Sequence, residues 1–221
     1  MGQASLVSVI IPVRNGVRYL AEAVESVRAQ RYHPLEILVV DDASTDGTGK
    51  LARQWPDVRY IARATPGGAG AARNLGVARS CGAILAFLDA DDIWARDKLA
   101  LQTAVLAGDP TLEAVFGHVV PFWEDGEGEA MPGPVPGTML IRRETFDRVG
   151  GFDEDPGSKE TVDWYLRATE AGVRMRMLPE VVYRRRIHGD NRGIRERDMG
   201  GYLLALKASL DRRRGLGGFG P

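Results

Sequence analysis

Four times before residue 95, a short β-branched apolar run gives way to a helical pattern. The runs are Leu6 to Pro12, Leu35 to Val40, Val58 to Ala62 and Ala83 to Leu88. The first is apolar on both faces, as a buried parallel strand must be. Between the runs, Leu20, Val24 and Val27 recur at helical spacing, Ser44, Thr45 and Asp46 offer caps for a helix to about Gln54, and Ala71 to Arg79 reads as a third helix. This alternation predicts an α/β domain, with a Rossmann-like, mostly parallel central sheet flanked by helices. Right-handed crossovers would set every strand's C-terminal end on one rim. Pro12 to Asn15, Asp41-Asp42 and Asp89 to Asp92 should therefore converge where open α/β sheets bind ligands.

The fourth run ends in Asp89-Ala90-Asp91-Asp92, three carboxylates within four residues. Like charges at that spacing repel, so each must stay solvated or meet a cation. One reading is a DXD metal site, since the hard oxygens of Asp suit Mg²⁺ or Mn²⁺ carrying a phosphorylated ligand. The other is a helix start, with Asp92 capping a helix from about Ala95 and its neighbours complementing the dipole.

Beyond the acidic run, a helix is expected from about Arg96 to Ala107 and a strand from Glu113 to Pro121. Glu124 to Gly137, acidic and then Pro/Gly-rich, reads as a mobile surface loop, either a bare linker or a lid over substrate. Pro66 to Gly70 reads as a flexible loop. A strand at Gly137 to Ile141, helices at Arg142 to Val149 and Thr161 to Ala171, two strands at Met175 to Leu178 and Val181 to Arg185, and an amphipathic helix at Met199 to Leu210 complete the pattern. Trp94 and Trp164 fit core packing better than platforms for a ligand. The expected organisation is a single domain over residues 1–214, in two halves, 6–95 and 96–214, with 215–221 as a disordered tail.

A net charge of −1 gives no general pull toward nucleic acid. The single cysteine, Cys81, cannot form an internal disulfide and suits a reducing compartment. With no signal-peptide pattern at the start and no apolar run near the roughly 20 residues that span a bilayer, the expectation is a cytoplasmic protein. Tyr183 to Gly215 holds ten Lys/Arg against four Asp/Glu, a solvated face, a phosphate-steering rim or a peripheral contact with the inner membrane face. Walker A, Gly-x-Ser-x-Gly and zinc-ligand patterns are missing from the sequence. Gly67 to Ala72 follows the third strand rather than the first, which argues against a dinucleotide fingerprint.

SVIIPVRNG, VVDDASTDGT, GGAGAARNLGVA and LAFLDADDIW stand in the order and spacing of the family 2 glycosyltransferases, which have the GT-A fold. The resemblance continues through GTMLIRRETFDRVGGFDED, KETVDWYLR and YRRRIHGDN to about residue 191. It implies an inverting transfer of a sugar from a nucleoside diphosphate, a UDP-sugar being favoured, to an acceptor that could be a glycan, lipid-linked sugar, peptide or small molecule. Carried over by position, Pro12, Val13, Arg14 and Asn15 border the base and ribose, and Asp42 accepts from the base. Arg73 lies by the nucleotide, Asp89 by the ribose or a metal-bound water, and Ala90 in the nucleotide-sugar site, which makes 6–95 the nucleotide-sugar half and 96–214 the acceptor half. Asp91, with Asp89 and the late His188, holds Mn²⁺ or Mg²⁺. A sugar nucleotidyltransferase shares such a sheet, but Pro12-Val13-Arg14-Asn15 stands where its Gly-rich basic loop would be.

Two departures from the family pattern matter. Arg14 stands where relatives often carry a ring, and a guanidinium can stack in its place or face solvent. Thr161 stands where relatives carry the aspartate base, and threonine takes no proton at neutral pH. Glu160 and Asp163, at i,i+3 near one side of the first helical turn, are the remaining candidate bases. Without a base, the chain would be a non-catalytic nucleotide-sugar-binding module.

Overall fold

A computed structural model of the chain describes residues 4–155, 159–189, 207–210 and 212. Its elements in chain order are β1 (Val7–Val13), α1 (Leu20–Arg28), β2 (Leu35–Asp41), α2 (Thr48–Ala52), β3 (Val58–Ala62), α3 (Gly68–Arg79) and β4 (Ile84–Phe87). There follow β5 (Ile93–Trp94), α4 (Lys98–Gly108), β6 (Ala114–Trp123), β7 (Gly126–Glu127), β8 (Met131–Gly133), a 3₁₀ turn (Pro136–Thr138), β9 (Leu140–Arg142), α5 (Arg143–Val149), α6 (Glu160–Glu170) and β10 (Met175–Arg186).

The strands form one sheet in the order β3-β2-β1-β4-β9-β6-β10-β5, with β7 and β8 on β6. β3, β2, β1 and β4 run parallel. β9 enters antiparallel to both β4 and β6, so the sheet is mixed beyond β4. Alternation along β1 sends Val7, Val9 and Ile11 into a core under α1 and α4, whereas Ile10 faces a second core under α3 and α6. Trp94 and Trp164 both lie in these cores, as expected. Two glycines permit the close packing. A Cβ on Gly76 would come within 2.4 Å of Ile10, and one on Gly70 within 2.2 Å of the Asp153 carbonyl.

Several boundaries differ from the sequence reading. Gly68 to Gly70 is the first turn of α3 rather than a loop, because Asp42 satisfies the open N–H groups there. Glu124 to Gly137 contains β7 and β8, both hydrogen-bonded to β6, and so is sheet rather than a free loop. Met175 to Arg186 is one strand that absorbs Pro179 in register shifts against β6. The two-residue β5 was not anticipated, and it delays α4 to Lys98. The expected tail at 215–221 and most of the helix expected at Met199 to Leu210 lie outside the described residues. Among the described residues, no helix is long and apolar enough to cross a membrane.

Candidate active site

The tips of β1 and β2 are stitched together. The Asp42 N–H donates to the Val13 carbonyl at 2.8 Å. Asn15, at φ +53°, donates its N–H to Ser44 Oγ and accepts from the Thr45 N–H, each at 2.8 Å. Asn tolerates this left-handed backbone better than most residues. Gly16 and Val17 donate to Thr48 Oγ1 and Asp46 Oδ2. Pro12 and Val13 are buried, whereas Arg14 and Asn15 are exposed. Arg14 thus stands at the solvent edge of the rim.

Asp42 is 4% exposed, and its carboxylate already has protein donors. Oδ1 accepts from Arg63 at 2.8 Å and from the Gly67 N–H at 2.9 Å, and Oδ2 accepts from the Gly68 N–H at 2.8 Å. It caps α3 and holds Arg63, a role that residue spacing did not reveal. Asp41 accepts from Tyr60 Oη at 2.6 Å and from the Ser44 N–H at 2.8 Å.

The acidic run leaves β4 at the same rim, and each of its carboxylates has a different environment. Asp89 Oδ1 accepts from Arg73 Nη2 at 2.6 Å. Ala90 is buried beneath the turn. Asp91 Oδ2 lies 3.1 Å from His188 Nε2. Asp92 is 4% exposed and caps no helix. It accepts from the Tyr183 hydroxyl and, at 2.6 Å, from the Arg186 N–H, and so ties the loop to β10. Burial, followed by the nearby Asp91 and Asp89, pushes its pKa well above the carboxylate range. Burial and Asp92 likewise push the Tyr183 hydroxyl up.

Arg73 is the hub of the site. α3 delivers it into the interior, 4% exposed, where it pairs with Asp89 and, at 3.2 Å, with Glu160 at the head of α6. Burial pulls the guanidinium pKa down, but the two carboxylates outweigh it and leave it raised. Its Cζ lies 5.5 Å from the Phe152 ring centroid. Among the described residues, its Nε is buried without a hydrogen-bond partner.

The two candidate bases part company. Glu160 joins the cluster through Arg73, but Asp163 does not. Asp163 Oδ2 accepts from Arg167 Nε at 2.8 Å, one turn along its own helix, and Oδ1 faces Arg212 at 3.4 Å. Thr161 lines a shallow, mostly apolar pocket with Phe116, Val135, Met139, Phe152 and Tyr165. Its far wall is braced from behind. Trp94 Nε1 donates to the Gly137 carbonyl at 3.0 Å, and the fully buried Lys98 donates to the Thr138 carbonyl at 3.1 Å.

Among the described residues, no group of three or more His, Cys, Asp or Glu is arranged to hold an ion. Asp91 and His188 nevertheless fit a divalent cation. Two ligands at right angles on an ion with bonds of roughly 2.1 Å lie about 3 Å apart, close to the observed 3.1 Å. Mg²⁺ and similar ions take few protein ligands when substrate phosphates supply the rest. Asp89, the third expected ligand, pairs through Oδ1 with Arg73. Arg186, Tyr19 and Tyr183 organise the rim without having been singled out from sequence. Their only signal was the position of Tyr183 and Arg186 in the stretch leading to His188.

Residues 8–156 match Glycosyl transferase family 2. An uncharacterized glycosyltransferase of Rickettsia felis is 43% identical over 99 residues, 43% of this chain and 16% of that protein. One from Nostoc sp. is 32% identical over 219 residues, covering 84% of this chain and 66% of its own length. The chain therefore spans between 16% and 66% of these two relatives. Among solved structures, S. aureus TarS 1-349 in complex with UDP-GlcNAc superposes with a TM-score of 0.74 at 21% identity, over 84% of this chain and 59% of that one. The mannosyltransferase PcManGT from Pyrobaculum calidifontis, in complex with GDP-Man and Mn²⁺, gives a TM-score of 0.73 at 26% identity, over 95% and 65%. With the fold, the rim and the sequence match in agreement, the chain has the GT-A fold and belongs to glycosyltransferase family 2.

Proposed function

We propose that this chain transfers a sugar from a nucleoside-diphosphate sugar, a UDP-sugar in the first instance, to an acceptor hydroxyl with inversion at the anomeric carbon. One observation carries the reading: Arg73 joins Asp89 at the strand tip to Glu160 at the head of α6. A proton acceptor thus stands one side chain away from the donor cradle.

The acceptor oxygen attacks the anomeric carbon opposite the diphosphate. The new C–O bond forms as the bond to phosphate oxygen breaks, and Glu160 takes the hydroxyl proton. Arg73 sets where that carboxylate stands. Asp91 and His188 would hold Mn²⁺ or Mg²⁺, which when bound stabilises the charge of the departing diphosphate. The metal and the nucleotide sugar are supported by the mannosyltransferase carrying GDP-Man and Mn²⁺ and by TarS carrying UDP-GlcNAc. The lone Cys81 fits a cytoplasmic setting.

The test is release of nucleoside diphosphate from a panel of UDP- and GDP-sugars with Mn²⁺ and mixed acceptors. Release from at least one donor is expected, and silence across the panel would remove the transferase reading. Thr161, set in an apolar pocket where relatives carry the base, favours a second reading of donor binding without transfer. That reading requires UDP and Mn²⁺ to bind without turnover in the parent, and Thr161→Asp to switch turnover on.

A further inference from the structure

Arg186 closes β10 two residues before His188, and no step of the proposed transfer uses it. Its side chain, 16% exposed, meets Asp91, Glu22, Tyr19 and Phe122 among the described residues. Nε donates to the Asp91 carbonyl at 2.9 Å, and Nη2 pairs with Glu22 of α1 at 2.5 Å. Cζ lies over two rings, 4.8 Å from the Tyr19 centroid and 4.6 Å from that of Phe122. The Tyr19 ring in turn packs 4.9 Å from the His188 ring.

Only a guanidinium can do all of this at once. Its flat faces pack on rings while its edge donates in fixed directions. Lysine would keep the charge but lose both the face and the fork. Holding the Asp91 carbonyl fixes the backbone of the residue whose carboxylate stands beside His188. Holding Tyr19 fixes the ring that backs His188. Tyr19 also immediately precedes α1, just after the turn at the tip of β1.

We propose that Arg186 is a positioning residue. It keeps Asp91 and His188 in register for a metal-bound diphosphate, and through Tyr19 and Glu22 it joins that pair to the turn between β1 and α1. The role rests on the reading of Asp91 and His188 as the metal pair. Arg186 itself touches neither ion nor donor.

The test titrates Mn²⁺ into the full chain with UDP, and separately with GDP, following free Mn²⁺ by electron paramagnetic resonance. Parent, Arg186→Lys and Phe122→Leu are compared, with melting temperatures taken on the same samples. Loss of a residue that orients metal ligands typically weakens affinity about 10- to 100-fold. Arg186→Lys should fall in that range, and Phe122→Leu, which removes one of two rings, by a smaller factor. Arg186→Ala should regain part of its loss when ethylguanidinium is added. A purely structural role would lower the melting temperature and leave the affinity of the folded protein unchanged. If the parent retains no Mn²⁺ with either nucleotide, the metal reading falls and this role with it. If the parent retains Mn²⁺ and Arg186→Lys retains it equally, the positioning role alone is overturned. If Arg186→Lys does not fold, Phe122→Leu decides, and unchanged retention there overturns the role.

Discussion

Asp91 Oδ2 and His188 Nε2 lie 3.1 Å apart although 97 positions separate them in the chain. The contact forms because β5 pairs antiparallel with the end of β10, at Trp94–Tyr183 and Ile93–Arg184. That pairing lays the exit of β10 against the acidic loop. A carboxylate and an imidazole so placed offer one hard and one borderline donor to a cation that phosphate oxygens would complete.

Asp91→Ala should weaken Mn²⁺-dependent binding of UDP or GDP by more than the roughly 100-fold that loss of a ligand-orienting residue costs. Calorimetric titration with and without Mn²⁺ is the measurement. Equal nucleotide affinity in variant and parent would refute the metal assignment.

Glu160→Gln should cut kcat by about 10²- to 10⁴-fold with donor KM little changed, the usual worth of a general base. Asp163→Asn should leave kcat within about twofold while lowering stability by about 1 kcal/mol, because it loses half-buried ion pairs with Arg167 and Arg212. Steady-state kinetics paired with thermal melts separate the two. A large kcat loss in Asp163→Asn alone would exchange their roles.

Gly76→Ala places a methyl 2.4 Å from the Ile10 side chain, where α3 meets β1. Overpacking of this kind costs about 1–3 kcal/mol. Urea unfolding should show it as a lower midpoint at unchanged slope. Unaltered stability would mean that α3 rides further from the sheet.

Tyr60 donates to Asp41 at the tip of β2, and burial, followed by Asp41, pushes its hydroxyl up to about 12. The unfolded value is about 10. A raised folded pKa gives stability that is fully present below about pH 10 and lost as pH rises toward about 12. Tyr60→Phe should therefore be less stable than parent by about 1–2 kcal/mol at neutral pH. The gap should narrow above about pH 10, and denaturant titrations at several alkaline pH values read it. A gap constant across that range would contradict the coupling.

The parallel half of the sheet was legible because its strands are apolar on both faces and end in polar turns. Residue patterning alone carried β1 to β4 and the convergence of their tips. The strand at Gly137 to Ile141 was anticipated but not its antiparallel direction, and two residues hold no periodicity that would show β5. Asp92 reads as a helix cap in sequence, and only its distance from Tyr183 and Arg186 shows the tie to β10. Glu160 and Asp163 looked equivalent because spacing along a helix does not say which neighbours lie beyond it. Arg73 joins Glu160 to the rim, whereas Arg167 and Arg212 hold Asp163. Asp42 was placed on the rim correctly, but spacing could not reveal how many backbone N–H groups α3 would aim at it.

β9 is hydrogen-bonded to β4 on one edge and to β6 on the other. Residues 6–95 and the described residues after them are therefore woven into one fabric, not joined end to end. Grafting the later portion onto a relative would have to bring matching edges for that short strand, and a clean cut near residue 95 would leave two fragments that each expose an unmet row of peptide groups.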